Sequence, residues 1–311
     1  MKIIFLDAKT IGEDMDLSGY ETLGEVVKYD FSTPQEASQR VKDADVIIVN
    51  KVPVNEETIK TAENLKLVCV AATGTNNLDK EYLEQRGIAW RNVAGYSTEC
   101  VTQHTFALLF YLLEHLPYYD EYVKSEKYVE DRIFTHFDKK FSELDKKTWG
   151  IIGMGAIGRR VAEAAKIFGC NVIYYSTSGK NNQPGYQRVE LDELLEKSDI
   201  VSVHAPLTPE TEGLMDKKAF EKMKKSAVFL NLGRGPIVVE QDLAEALKNG
   251  EIAAAGLDVL CVEPMSPENP LKEIKDSGKL LITPHIAWAS VEARTRLVNT
   301  ILNQIREFFI P

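Results

Sequence analysis

The sequence has little cysteine. There are four in 311 residues, at Cys69, Cys100, Cys170 and Cys261, and none forms a C-x-x-C pair. That excludes a zinc knuckle and a dithiol redox motif. Each lies among apolar neighbours and is expected to be a buried free thiol, as in a reducing cytoplasm. The five histidines (His104, His115, His136, His204 and His285) lack the H-E-x-x-H spacing of a metal helix, so no metal is expected. Long hydrophobic runs are missing as well. The longest, FALLFYLL, stops at Glu114, well short of the roughly 20 residues that span a bilayer. The start, MKIIFLDAKT, reads as a first strand and not as a signal peptide. Positive charge is in deficit: 37 Lys and Arg face 47 Asp and Glu, a net charge of −10. A broad nucleic-acid footprint is therefore not expected. No tract is of low complexity, and no linker is rich in Pro, Gly or Ser.

What is present is alternation. Strand-like runs KIIFLDA, EVVKYD, DVIIVN, LKLVCVAA and IAWRNVA are separated by helix-like segments. Such alternation implies crossover units and a parallel sheet, and the near-continuous apolar strands suit a sheet covered on both faces. A long pattern rich in Leu, Phe and Tyr follows, from Thr98 to Asp131, and reads as one helix. It is expected to have one face on its domain and the other on a partner, because tyrosine suits interfaces. Alternation restarts at TWGIIG and continues through NVIYY, DIVSVHA, AVFLNL, AAGLDVL and LLITPH. The last helix, SVEARTRLVNTILNQIREFF, has no place in the second series. Its return to the first domain would give two chain crossings, hence a hinge and a cleft.

Gly153, Gly155 and Gly158 stand between a strand-like and a helix-like run. In G-x-G-x-x-G the first glycine makes a tight turn and the second admits a pyrophosphate. The third lets the helix pack on the strand, and the helix N-terminus offers free N–H groups to the phosphates. The acid that normally binds the ribose hydroxyls about 20 residues on is absent. The strand ends in Ser176, Thr177 and Ser178, with Lys180 beyond. These hydroxyls and the lysine are expected to accept a 2′-phosphate, so NADPH use is expected, with NADH not excluded.

Arg234 lies between two glycines in NLGRG, Asp258 and Glu263 lie in DVLCVEP, and His285 lies in TPHIAW. Arg234, Glu263 and His285 each follow a different strand of one sheet, on the carboxyl edge where open α/β sheets bind ligands. A glutamate beside the histidine would fix its tautomer and stabilise an imidazolium. The planar fork of arginine suits a carboxylate.

The motifs ATGTNNLD, VTQHTFALL, GIIGMGAIGRRVA, SVHAPLTPET, NLGRGPIV, GLDVLCVEP and TPHIAW together resemble the D-isomer-specific 2-hydroxyacid dehydrogenase family over essentially the whole chain. The resemblance implies α/β architecture with two doubly wound parallel-sheet domains. Residues 1–98 plus 288–311 would form a flavodoxin-like substrate (lid) domain, and residues 99–287 a dinucleotide-binding Rossmann domain. It implies catalytic roles for His285, Glu263 and Arg234, with Asp258 at the nicotinamide. It also implies a cofactor surface of Gly153, Gly155, Ala156, Ile157, Gly158, Ser176, Thr177, Ser178, His204, Ala205, Pro206, Thr211, Leu232 and Gly233. The substrate is expected at Lys51, Ala72, Thr73, Gly74, Arg234 and His285. Gln103 with His104, and Trp288, resemble the glycerate dehydrogenase (hydroxypyruvate reductase) branch, so hydroxypyruvate or glyoxylate is the expected 2-keto acid. A homodimer through the cofactor domain, with no membrane or nucleic-acid partner, is expected. The alternative is a nucleotide-responsive corepressor similar to C-terminal binding protein. That group usually carries extra tail sequence, and the end at Pro311 favours the enzyme.

Overall fold

The computed structural model describes residues 1–309. The chain divides into two compact units. One combines Met1–Ser97 with the segment from Ala289 onward, and the other is Thr98–Trp288.

In the first unit the strands are β1 (Lys2–Phe5), β2 (Glu25–Lys28), β3 (Val46–Val49), β4 (Leu67–Val70) and β5 (Ala89–Asn92). They pair in parallel in the order β2-β1-β3-β4-β5, the flavodoxin-like arrangement. Helices α1 (Pro34–Arg40), α2 (Glu56–Ile59) and α3 (Lys80–Gln85) connect them. Local chemistry starts each helix. Thr33 and Glu36 close a capping box ahead of Pro34, Asn55 and Thr58 form another, and Asp79 caps the third. Strands β3 and β4, VIIV and LVCV, are buried at every position.

The second unit opens with α4 (Thr98–Leu113) and α5 (Leu116–Lys124), followed by β6 (Thr148–Ile152), α6 (Ala156–Ile167), β7 (Asn171–Tyr175) and β8 (Gln187–Arg188). It continues through α7 (Leu191–Lys197), β9 (Ile200–Val203), α8 (Lys217–Lys222), β10 (Val228–Asn231), α9 (Glu240–Asn249), β11 (Ala254–Leu257) and β12 (Leu280–Ile282). The seven strands are parallel, in the order β12-β11-β10-β9-β6-β7-β8. The order reverses between β6 and β9, which is the Rossmann switch point. Successive residues of one strand face opposite ways. Trp149 and Ile151 therefore enter one core, while Ile152 enters the other.

The final helix, α10 (Val291–Phe309), packs on the first unit. Its Leu297, Ile301 and Ile305 are fully buried. The Tyr20 hydroxyl donates to the Val298 carbonyl at 2.6 Å, and Arg294 forks onto Asp14.

Three sequence expectations are corrected. The Thr98–Asp131 pattern is not one helix. His115 adopts φ +52 and separates α4 from α5. Helix α4 is a core element, with Phe106, Leu108, Leu109 and Leu112 buried against the sheet, whereas α5 buries no residue. The sheet has a further edge strand, β8, whose Gln187-Arg188 carries no apolar alternation to reveal it. Of the cysteines, Cys69 and Cys170 are buried, Cys100 is intermediate and Cys261 is exposed. Apolar neighbours in sequence did not bury Cys261, because it lies on a loop beyond β11.

Leu297→Ala should destabilise the first unit by about 2–5 kcal/mol, the usual cost of such a core truncation. Equilibrium urea unfolding measures it. Unchanged stability would show that α10 adds little to this core.

Candidate active site

The strands of the second unit end together. Tyr175, Ile152, Val203, Asn231, Leu257 and Ile282 are successive register partners from β7 to β12. The residues that follow them are Ser176, Gly153, His204, Leu232, Asp258 and Thr283. One rung of the sheet thus hands six loops to a single edge.

Gly153 has φ +94, and a Cβ there would stand 2.8 Å from the Ala205 backbone. The loops after β6 and β9 meet at this point, at the switch point. A Cβ on Gly158 would collide with the Gly153 carbonyl, while one on Gly155 would meet nothing within 4 Å. Helix α6 begins at Ala156 with no side-chain cap, and Gly155 and Ala156 are exposed. A tight turn, an uncapped helix start and open space at the middle glycine are what a pyrophosphate requires. The site fits a dinucleotide.

Around it, Ala205, Leu232 and Gly233 are buried, and Pro206 is exposed. Thr211 is buried too. Its hydroxyl donates to the Pro206 carbonyl at 2.8 Å and accepts the Thr208 N–H at 2.8 Å, so it closes the loop. The His204 Nε2 lies 3.1 Å from the Ser202 hydroxyl, which also accepts the Trp149 indole N–H. Its Nδ1 is buried without a partner, and burial pushes the imidazole pKa down to about 3. That ring is neutral at any working pH.

The loop after β7 departs from expectation. Ser176 is buried, and its Oγ accepts the Asn181 N–H at 3.2 Å. The hydroxyl oxygen thereby closes its own turn. Ser178, Lys180 and Arg188 are exposed, Thr177 is intermediate, and the Arg188 guanidinium donates to the Gly179 carbonyl at 2.9 Å. Arg188 escaped the sequence reading because it belongs to β8 and reaches this loop only through strand pairing.

On the other side of the switch point, His285 Nδ1 lies 2.7 Å from Glu263 Oε2, and the other carboxylate oxygen accepts the Leu260 N–H at 2.9 Å. His285 is a non-glycine residue at φ +55. Asp258, buried after β11, accepts Ile286 N–H on Oδ1 and Ala287 N–H on Oδ2, each at 2.9 Å. Arg234 follows β10. Asn231 shapes its loop by accepting Gly233 N–H and donating to the Arg234 carbonyl, both at 3.0 Å. A side chain on Gly235 would collide with the Leu260 carbonyl, so the arginine loop lies directly on the segment leading to Glu263. Neither Asn231 nor Thr283 stood out in the sequence, because each looks like an ordinary strand end.

Within the first unit, Lys51 follows β3, and Ala72, Thr73 and Gly74 follow β4, its neighbour. Asp7, after β1, accepts the N–H groups of Asn50, Lys51 and Val52 and so folds the Lys51 loop. Thr73 donates to the Val93 carbonyl at 3.1 Å. Among the described residues, no group of three or more His, Cys, Asp or Glu is placed to hold a metal ion.

The family described as "D-isomer specific 2-hydroxyacid dehydrogenase, NAD binding domain" matches residues 106–287. A hydroxypyruvate reductase of Blautia hydrogenotrophica is 39% identical, over 99% of this chain and 97% of its own. The chain belongs to the D-isomer-specific 2-hydroxyacid dehydrogenase family. A glycerate dehydrogenase of Methylorubrum extorquens is 33% identical, over 99% of this chain and 96% of its own. The structure of an acyclic imino acid reductase with NADPH and D-arginine is 31% identical, with a TM-score of 0.87, covering 99% of this chain and 97% of that one. As a D-2-hydroxyacid dehydrogenase, the protein is an oxidoreductase that reduces a 2-keto acid with a nicotinamide cofactor.

Two glycine variants separate folding from binding in this dehydrogenase. Gly155→Ala, at φ −77 with open space around it, should leave stability unchanged within about 0.5 kcal/mol. It should weaken cofactor binding by tenfold or more, or about 1.4 kcal/mol. Gly158→Ala should cost about 1–3 kcal/mol of stability as an overpacked contact. Thermal melts and nucleotide-fluorescence titration measure both.

Proposed function

We propose that this dehydrogenase interconverts hydroxypyruvate or glyoxylate and the corresponding 2-hydroxy acid, with His285 and Glu263 as its proton-donor pair. The observation that carries the reading is the 2.7 Å contact between His285 Nδ1 and Glu263 Oε2, on the same sheet edge as the glycine loop. A carboxylate on Nδ1 fixes the tautomer and leaves Nε2 to exchange a proton with the substrate oxygen. A reduced nicotinamide, when bound, would supply the hydride that C2 of the keto acid takes up. Arg234 holds the substrate carbonyl and carboxylate, giving orientation and charge stabilisation. Gly153, Gly155, Ala156, Ile157 and Gly158 hold the pyrophosphate, with His204, Ala205, Pro206, Leu232, Gly233 and Asp258 around the nicotinamide half. Lys51, Ala72, Thr73 and Gly74 serve the substrate carboxylate. The names of the relatives, a hydroxypyruvate reductase and a glycerate dehydrogenase, support this substrate class. His285→Gln should lower kcat with hydroxypyruvate by about 10²–10⁴, with cofactor affinity retained. Near-normal turnover would reject the assignment.

We also propose that NADPH is used, through Thr177, Ser178, Lys180 and Arg188 at the 2′ position. Support comes from the absence of an acid at the end of β7, the exposed cations beside it, and a relative solved with NADPH. One or two charge-assisted contacts of about 1.5–3 kcal/mol each correspond to a preference of roughly tenfold to a hundredfold. Arg188→Ala should erase most of that preference in kcat/KM. A wild-type enzyme that favours NADH would overturn the proposal.

The protein is proposed to work in the cytoplasm as a homodimer. Helix α4 is core, and the exposed apolar surface lies on the segment after α5. There Val129 is 81% exposed, Phe134 90% and Phe137 75%, a concentration that soluble monomers rarely present. Sedimentation at micromolar concentration should give a dimer, and a monomer would reject this proposal.

A further inference from the structure

We propose that His104 and Thr283 are positioning residues for His285, acting through the buried carboxylate of Asp258. The proposal rests on the reading of His285 as the proton donor. His285 sits in the left-handed region at φ +55, and its N–H donates back to the Thr283 carbonyl at 2.9 Å. A non-glycine residue keeps such a conformation only where its surroundings over-determine it. The restraint comes from one carboxylate. Asp258 Oδ1 accepts the Thr283 hydroxyl at 2.6 Å and the Ile286 N–H at 2.9 Å, and Oδ2 accepts the Ala287 N–H at 2.9 Å. These three donors bracket His285, two residues before it and one and two after. Asp258 is 2% exposed, so water does not substitute for a lost donor.

The hydrogen-bond inventory then assigns His104. The single proton of the Thr283 hydroxyl goes to Asp258 Oδ1, and a hydroxyl has no second proton to donate. The 3.0 Å contact between His104 Nε2 and Thr283 Oγ1 therefore has the imidazole N–H as donor and the hydroxyl oxygen as acceptor. Nε2 also stands 3.6 Å from Asp258 Oδ1. His104 thus fixes the direction of the hydroxyl, the hydroxyl helps fix the carboxylate, and the carboxylate fixes the turn that aims His285 at Glu263. Helix α4 can place His104 there because it lies close to β11. A Cβ on Gly256 would come within 3.2 Å of the Leu108 Cβ. His104 touches none of the reacting atoms in this scheme. Misplacement of a reacting group by about 1 Å can cost on the order of a hundredfold in rate.

The test compares Thr283→Val, which keeps the shape and deletes the hydroxyl, with Thr283→Ser, which keeps it. It also compares His104→Leu with His104→Gln, which retains a donor. Steady-state kinetics with hydroxypyruvate, nucleotide-fluorescence titration and ¹⁵N spectra of the histidine rings are recorded for each. Thr283→Val should lower kcat by roughly tenfold to a hundredfold, with KM for hydroxypyruvate changed by less than about threefold. The ring resonances of His285 should shift. His104→Leu should do the same more weakly, and both conservative variants should recover most of kcat and the wild-type His285 resonances. The ring spectra of the cofactor-free protein read the restraint even where turnover is low. If His285→Gln abolishes turnover while Thr283→Val retains wild-type kcat and ring resonances, the positioning role is wrong and the proton-donor reading stands. Equal losses in Thr283→Val and Thr283→Ser would also overturn it, since the hydroxyl would then not matter. If His285→Gln itself turns over normally, the underlying reading fails, whatever the other variants do.

Discussion

Parallel pairing in register is the constraint on which this molecule depends. Parallel strands joined by crossovers all leave the sheet in the same direction. The single row from Tyr175 to Ile282 therefore fixes where six loops begin. Arg234, Glu263 and His285, 22 to 51 positions apart in sequence, stand on loops that leave consecutive strands of the sheet. A one-residue slip of β12 would move Thr283 away from Asp258 and turn its side chain to the opposite face. The fully apolar strands make such a slip costly, because both faces are buried in separate cores.

A second constraint is repeated in both units. A buried polar side chain at or just past a strand end takes up the amides of a loop. Asp7 does this for residues 50–52, Asn231 for Gly233, and Asp258 for residues 286 and 287. Buried amides left unpaired cost about 1–3 kcal/mol each, so each such residue selects one loop conformation out of many. The chemistry at the edge depends on this. The Lys51 amide is held by Asp7 beyond the neighbouring strand, the Arg234 carbonyl by Asn231 of its own strand, and the two amides that follow His285 by Asp258 beyond the neighbouring strand. Rigid scaffolding of exposed side chains is what preorganised charge stabilisation requires.

The candidate site was legible where its signal was local. The glycine spacing, the arginine between glycines and the histidine after LLITPH all stand next to a strand that periodicity reveals. The Rossmann turn was legible for the same reason, since Gly158 answers a steric demand that the Gly153 carbonyl, five positions away, imposes. For Ser176 the strand end gives the position and not the rotamer. Its hydroxyl turned inward to Asn181, a partner five residues on that only the turn brings near. Arg188 and Thr283 were missed because their significance lies across a strand pair.

The sequence by itself determined the alternation of strands and helices, the two sheets, the switch-point turn and the membership of the family. These follow from periodicity, from capping and glycine sterics, and from motifs that carry their own geometry. Only the tertiary structure decided that His115 breaks the long helix, that α4 is core, and that the apolar exposure lies beyond α5. Only it decided which carboxylate oxygens are already taken at Asp258, and that His104 stands behind Thr283. Helix propensity does not register a single left-handed residue, and hydrogen-bond accounting needs both partners in place. His104 and Thr283 are 179 residues apart in the chain and 3.0 Å apart in the fold, a separation that no local pattern encodes.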